Sequence, residues 1–378
     1  MKNICFWAPH FKMGGLEKVN VFVGNELSTR DNINVYYYSS NEVEPFFEMN
    51  GPLIFPQYTF NEKVERFAEK VIGKITSIIK VDVSPIELDK LIIYQFVEFA
   101  KKNKLDTVVL NAQHLTTYIP KLKKLLPNVK FIAWMHNNWE RYLLQKYVKN
   151  KYPYQKYFIE GLKDADKIVC LTSFDVPYFS RYNSNTVCIN NPLTIKESGI
   201  ANLNKKQIAY IGRISIWGKG LDYMVEIAER LPENWRIHFA GGGNNKQENK
   251  FKKLIKEHGV IDNIILLGRK KDDGIKELFE KSSIYIMTSR WEGMPLVLAE
   301  AMSFGLPIIA FDQIGSREVL DNGKFGILIE QGNVKEMTIQ LNNLIADKNL
   351  REEYSKKSLE RVKDFDIKKI ADKWLEII

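Results

Sequence analysis

Ser289-Arg290-Trp291-Glu292-Gly293-Met294-Pro295-Leu296-Val297-Leu298-Ala299-Glu300-Ala301-Met302 is the stretch that decides the fold. An apolar β-type run, Ser283 to Thr288, precedes it, and a second, Leu306 to Phe311, follows. Strand, tight loop, helix and strand in that order make one βαβ unit of a parallel sheet. Gly293 permits close backbone approach, and Pro295 suits the first turn of a helix, where its missing N–H has no partner to lose. The loop should present the free N–H groups and positive end of that helix to an anionic ligand. Glu292 lies in the loop. Glu300 stands five residues beyond Pro295, about 7.5 Å along a helix axis. Carboxylates so spaced suit an extended, hydroxyl-rich ligand.

Outward from this unit, 378 residues suit two domains, and 45% hydrophobic residues can fill two cores. No apolar run approaches the roughly 20 residues that span a bilayer. Met1 to Trp7 gives way to a Pro/His/Lys loop too early for a signal peptide. The cysteines Cys5, Cys170 and Cys188 lie in strand-like runs without metal-ligand spacing, which predicts buried thiols in a reducing cytosol. The net charge of +9 is uneven: residues 101–157 hold twelve Lys and Arg against two acids, Asp106 and Glu140. An anionic membrane surface or a lipid diphosphate would suit that span, with Trp139, Tyr142, Tyr147, Tyr152, Tyr154 and Tyr157 among its lysines. Ordinary solvated helices would produce the same count.

The first half alternates strand and helix. Residues 3–8 form a strand, followed by a loop ending in Gly14-Gly15 and a helix that includes Glu17. A glycine pair there is where a doubly wound sheet places a ligand loop, although glycines needed only for the turn would look the same. Residues 40–62 lack periodicity and are expected to be a long loop. Residues 63–81 have helical periodicity, with Val64, Phe67, Ala68, Val71 and Ile75 on one face. That face is expected in the core, with a membrane-lying helix as the alternative. Strands over 107–110 and 130–135 lead to His114 and to His136-Asn137-Asn138; His136 is the functional candidate and His114 the structural one. The alternation stops at Asn190-Asn191-Pro192, the expected domain boundary.

The second half restarts with a strand over 207–211, then Gly212-Arg213-Ile214-Ser215-Ile216-Trp217-Gly218-Lys219-Gly220, then a helix over 221–231. Arg213 by its fork and Lys219 as a point charge suit a diphosphate; two exposed cations in a polar loop is the plain alternative. Gly241-Gly242-Gly243 and Gly268-Arg269 end the next two strands. Glu318 is expected to begin a short helix, Asp321-Asn322-Gly323 to form a turn, and residues 333–378 to be helical.

Gly14-Gly15-x-Glu17, His136, Arg213…Lys219-Gly220 and Glu292-x7-Glu300 together resemble the pattern of family 4, the retaining glycosyltransferases of GT-B type. The resemblance spans nearly the whole chain and is more specific in the second half. It implies an α/β fold of two Rossmann-like, doubly wound parallel-sheet domains facing across a cleft. Residues 1–190 would bind the acceptor and 191–363 the donor, with a final helix over about 364–378 returning to the first domain. The implied reaction moves a sugar, with retention, from a nucleotide-diphosphate sugar such as a UDP-hexose to a hydroxyl of a glycan or polyprenyl-diphosphate-linked acceptor. His136 would lie near the donor sugar, and Arg213 and Lys219 would bind the diphosphate. Glu292 would hold sugar hydroxyls and Glu300 the ribose. Gly14, Gly15, Gly268, Arg269, Gly293, Met294, Pro295 and Leu296 would complete the donor site. No metal, other cofactor or nucleic acid is expected. The expected location is cytoplasmic, peripheral at the inner face of the plasma membrane. Another GT-B activity (nucleotide-sugar epimerase or phosphorylase) and a silent sugar-binding subunit are the rivals.

Overall fold

The computed structural model describes residues 1–79, 83–144, 154–195 and 199–378, with side chains of the helix Phe60–Ile79 described as far as Thr76. The chain divides into two compact units, one of Met1–Pro192 with Ile367–Ile378, the other of Leu193–Asp366.

Among its described residues the first unit holds seven parallel strands: β1 (Lys2–Ala8), β2 (Ile33–Ser39), β3 (Leu53–Ile54), β4 (Thr107–Leu110), β5 (Lys130–Met135), β6 (Lys167–Cys170) and β7 (Thr186–Cys188). Their order is β3-β2-β1-β4-β5-β6-β7. Ile4 through Ala8 are fully buried, as expected of a strand covered on both faces. The chain builds outward from β1 in one direction and from β4 in the other, so the switch point lies between them. Ligand loops of open α/β sheets gather at the carboxyl ends of such strands. The helices α1 (Gly15–Leu27), α2 (Phe60–Ile79) and α3 (Lys90–Lys102) belong to this unit. The strand β3 falls inside the stretch expected to be a loop: its two residues pair with Tyr37 and Tyr38, a match too short to leave a periodic signal.

One expectation is overturned. The apolar face of α2 is not in the core: Val64, Phe67, Val71 and Ile75 are exposed, and the helix packs by its polar side. Periodicity measures the contrast between two helix faces, and here an ion-paired cluster has taken the inner one.

The second unit repeats the plan with β8 (Gln207–Ile211), β9 (Arg236–Ala240), β10 (Ile264–Gly268), β11 (Ile284–Met287), β12 (Ile308–Phe311) and β13 (Ile327–Ile329). All are parallel, in the order β10-β9-β8-β11-β12-β13, which puts its switch point between β8 and β11. The helix α4 (Leu221–Ala228) follows β8, and α5 (Leu296–Ser303) follows β11. Glu318 lies near the end of the helix Ile314–Val319 rather than at its start, because Gln313 caps that helix by accepting from Gly315 N. Asp321, Asn322 and Gly323 all have positive φ, the turn expected there.

The last helix, α6 (Ile367–Leu375), belongs to the first unit and packs on α1. Trp374 is fully buried, its ring 4.6 Å from Trp134 and 6.2 Å from Phe6. Lys2 Nζ donates to the Ile378 carbonyl at 2.7 Å. Leu193 N donates to Phe365 O at 2.7 Å, which pairs the two ends of the second unit.

Candidate functional site

In the second unit the two loops at the switch point are tied into one construction. Gly220 has φ 61°, and a Cβ there would come within 1.9 Å of Thr288 O, so the loop after β8 can sit this close only with glycine. Thr288 Oγ1 donates to Gly220 O at 2.8 Å, and the Tyr210 hydroxyl donates to Lys219 O at 2.5 Å. Burial holds the Tyr210 phenol above its ordinary pKa, so it remains a donor. Arg290 N donates to Gly218 O at 3.1 Å. The Arg290 guanidinium forks onto both Asp222 oxygens at 2.8 and 2.6 Å and lies 3.9 Å from the Tyr223 ring centroid. Its Nη1 also donates to Trp217 O at 2.7 Å. Two indoles meet above this seam, Trp217 and Trp291, at 4.3 Å between centroids.

These bonds bring Lys219 and Glu292 together. Lys219 Nζ lies 2.5 Å from Glu292 Oε1, with both side chains about one-fifth exposed. Arg213, on the same loop, is exposed and has no hydrogen-bond or ion-pair partner among the described residues. Glu292 N donates to Gln313 Oε1 at 3.2 Å, and a Cβ on Gly315 would meet Gly293 O at 2.9 Å, so the next helix backs the loop tightly. The helix α5 begins at Leu296 with Pro295 at its N-cap, one residue later than the sequence suggests, and no side chain caps it. Its first-turn N–H groups are therefore turned toward the same loop end as Lys219 and Glu292. Gly293 and Met294 are buried beneath. Glu300 is 8% exposed, and its Oε1 accepts from Thr194 Oγ1 at 2.7 Å; it thus braces the start of the second unit. Gly268 has φ 68° and ends β10, and Arg269 Nη2 donates to Gly243 O at 2.9 Å across the glycine turn.

In the first unit the candidates follow β1 and β5. Gly14 precedes α1, and a Cβ there would strike Glu17 Oε2 at 2.0 Å. Glu17 is 8% exposed and lies 3.2 Å from His10 Nδ1, so the Gly14-Gly15 turn is folded over a buried carboxylate. His136 Nε2 lies 3.0 Å from Asn111 Oδ1 at the end of β4. The Asn111 amide is oriented by its Nδ2, which donates to Trp7 O at 3.2 Å and Val109 O at 3.1 Å. The oxygen thus faces the ring, Nε2 carries the proton, and Nδ1 keeps its lone pair. Burial pushes the His136 pKa down to about 3, which keeps the imidazole neutral. His114 instead joins Asp89, at 3.3 Å, beside Tyr118.

Two cations of the basic span 101–157 have partners within the first unit. Lys123 binds Asp166 at 2.7 Å and Lys130 Nζ donates to Ile377 O at 3.1 Å, both beside the amino ends of strands. Tyr142 is 8% exposed, and Trp139, half-buried, stacks on Tyr178 at 3.7 Å. Tyr147 and Tyr152 lie outside the described residues. Among the described residues no helix is long and apolar enough to cross a membrane.

The fork of Arg290 on Asp222 and the Trp217–Trp291 contact escaped sequence reasoning, since each joins residues roughly seventy apart with no shared pattern. Charge parity offered the one hint: Arg290 begins the decisive loop and Asp222 the first turn of α4.

Known proteins resemble this chain along its whole length. Residues 193–361 match the model of the family described as glycosyl transferases group 1. An uncharacterized glycosyltransferase of Haemophilus influenzae is 28% identical over 100% of both chains. The amylovoran biosynthesis glycosyltransferase AmsD of Erwinia amylovora is 27% identical over 97% of this chain and 96% of its own. An uncharacterized glycosyltransferase of Methanocaldococcus jannaschii is 30% identical over 68% of this chain and 74% of its own. Among solved structures, sucrose-phosphate synthase of Thermosynechococcus elongatus superposes with a TM-score of 0.81 at 16% identity, over 100% of this chain and 98% of that one. HepE of Anabaena, in complex with UDP and glucose, gives 0.76 at 16% identity, over 100% and 99%. With its paired parallel-sheet units of GT-B type, the chain belongs to the glycosyl transferases group 1 and is a glycosyltransferase.

Proposed function

We propose that this enzyme moves a hexose from a UDP-hexose, with retention, to a hydroxyl of a glycan or polyprenyl-diphosphate-linked acceptor in cell-surface polysaccharide or glycolipid synthesis. The observation that carries the donor half is the pairing of Lys219 with Glu292 on the loop that runs into the uncapped start of α5, with Arg213 exposed on the Lys219 loop. Cations and helix N–H groups aimed at one point suit the departing diphosphate. Support for the UDP donor comes from the UDP and glucose named for HepE, and support for the polysaccharide role from the amylovoran role of AmsD.

In this reading the second unit holds the donor. The bond from the sugar's anomeric carbon to the diphosphate oxygen breaks, and a bond to the acceptor oxygen forms on the same face. The acceptor's proton passes to the departing phosphate oxygen. Arg213 and Lys219 balance the growing negative charge, Glu292 exchanges Lys219 for sugar hydroxyls, and Glu300 and the Gly268-Arg269 backbone hold ribose and base. Gly293, Met294, Pro295 and Leu296 shape the pocket floor. In the first unit, neutral His136 accepts a hydrogen bond at Nδ1 from the donor sugar, and Gly14-Gly15 lets the acceptor approach. Catalysis proceeds without a metal ion, in the cytoplasm, beside an anionic membrane.

A donor screen by thermal shift, followed by transfer assays with and without EDTA, tests this. A UDP-hexose should stabilise the protein, and turnover should survive EDTA. Stabilisation by no nucleotide sugar, or strict dependence on added Mn²⁺, would overturn it.

A further inference from the structure

The helix α2 is amphipathic in reverse. A surface helix ordinarily turns its apolar stripe to the core. The helix Asn245–Glu257 of the second unit does so, burying Phe251 and Ile255. In α2 the residues turned inward are Glu62, Arg66, Glu69, Gly73 and Thr76, at the spacing of one helix face. Arg66 Nη1 binds Glu69 at 3.0 Å, Asp89 at 2.5 Å and the Leu88 carbonyl at 3.2 Å. Gly73 lets the Leu88 side chain approach to 3.4 Å from where a Cβ would stand. Ion pairs hold the helix down.

The opposite face is a continuous apolar stripe open to solvent. Phe60 is 80% exposed and Phe67 69%, and Val64, Val71, Ile72 and Ile75 are exposed with them. Along one edge of the stripe run three exposed lysines, Lys63, Lys70 and Lys74; Glu65 is exposed on the other edge. An apolar stripe rimmed by lysines over three turns matches the boundary between anionic headgroups and acyl chains.

We propose that α2 lies in the surface of an anionic lipid bilayer, with Phe60, Val64, Phe67, Val71, Ile72 and Ile75 among the acyl chains and Lys63, Lys70 and Lys74 at the lipid phosphates. This deepens the membrane-proximal part of the proposed function and rests on it. It moves the contact from the basic span to one helix of the first unit. The ion-paired inner face then has a purpose: it anchors a helix whose apolar side is kept for lipid.

The test is flotation of the full chain with vesicles of phosphatidylcholine, alone or mixed with phosphatidylglycerol. The protein should float with the anionic vesicles at low salt and release as salt is raised. Phe67→Ser with Ile72→Ser should weaken binding at least about tenfold, and each of Lys63→Glu, Lys70→Glu and Lys74→Glu by about fivefold. These side chains are exposed, so circular dichroism and melting should be unchanged. The thermal shift by nucleotide sugar should also be unchanged, which separates failure here from failure of the donor assignment. Three results would overturn the proposal: no flotation of the native chain, flotation that survives both sets of substitutions, or a concentration-dependent dimer that the Phe67 and Ile72 substitutions dissolve and that ignores vesicles.

Discussion

The two switch points solve the same problem in different ways. Between β8 and β11 the loops are fastened to each other by backbone bonds, a glycine contact and the Arg290–Asp222 fork, and the chemistry-bearing Lys219 and Glu292 touch. Around β1 and β5 the candidates are held separately: Gly14 sits over Glu17, and His136 hangs from Asn111. Under the proposed function the second unit's site meets a constant diphosphate and gains from rigidity. Under the same proposal the first unit's site meets varied acceptors and needs only fixed points.

Four measurements press on that contrast, in falling order of expected effect. Lys219→Ala should lower kcat about a hundredfold or more, near 3 kcal/mol of barrier, if the pair serves the leaving diphosphate. Unchanged turnover in a folded variant would break the assignment. Gly220→Ala places a methyl against Thr288 O at positive φ and should cost about 2 kcal/mol or more in urea unfolding. A neutral result would mean that the loops are not locked. Arg290→Lys keeps the charge but loses the fork and the stacking on Tyr223, at roughly 1–2 kcal/mol of stability and with a weaker donor thermal shift.

The fourth concerns the looser site. The His136 folded pKa of about 3 lies below the ordinary value of about 6.5, so the unfolded chain takes up the proton first. Stability from this group is intact above pH 6.5 and falls by about 1.4 kcal/mol per pH unit below it, until the folded pKa is reached. His136→Asn should flatten that part of the acid limb relative to the native chain. By NMR the native imidazole should show no titration between pH 5 and 8, and a midpoint near 6.5 would refute the enclosed, Nε2-protonated ring.

Much of this was legible in the sequence. The run 283–311 displays strand, loop, helix and strand because buried parallel strands are apolar throughout and the glycine and proline mark the turn. Gly212 to Gly220 announces its loop in the same way. What stayed hidden depended on distant partners. Nothing near residue 66 reveals that Arg66 will meet Asp89, so the periodicity of α2 gave a helix but not the face it would bury. The bond from Thr194 to Glu300, over a hundred residues away, has no signal in the spacing of Glu300 to Glu292. The stacking of Trp139 on Tyr178 and the burial of Tyr142 likewise leave no mark among the lysines around them.

The return of α6 sets an order of events during synthesis. All seven strands of the first unit are made once residue 188 has left the ribosome, but Trp374, which closes over Phe6 and Trp134, comes only after the whole of the second unit. The second unit is one unbroken segment, Leu193–Asp366, and can close its core from residues already present. The half made later should thus be finished first, while the half made earlier waits with an open seam beside β1. A nascent-chain protease pulse at stalls before and after residue 374 would reveal that inversion, with protection of the first unit arriving last.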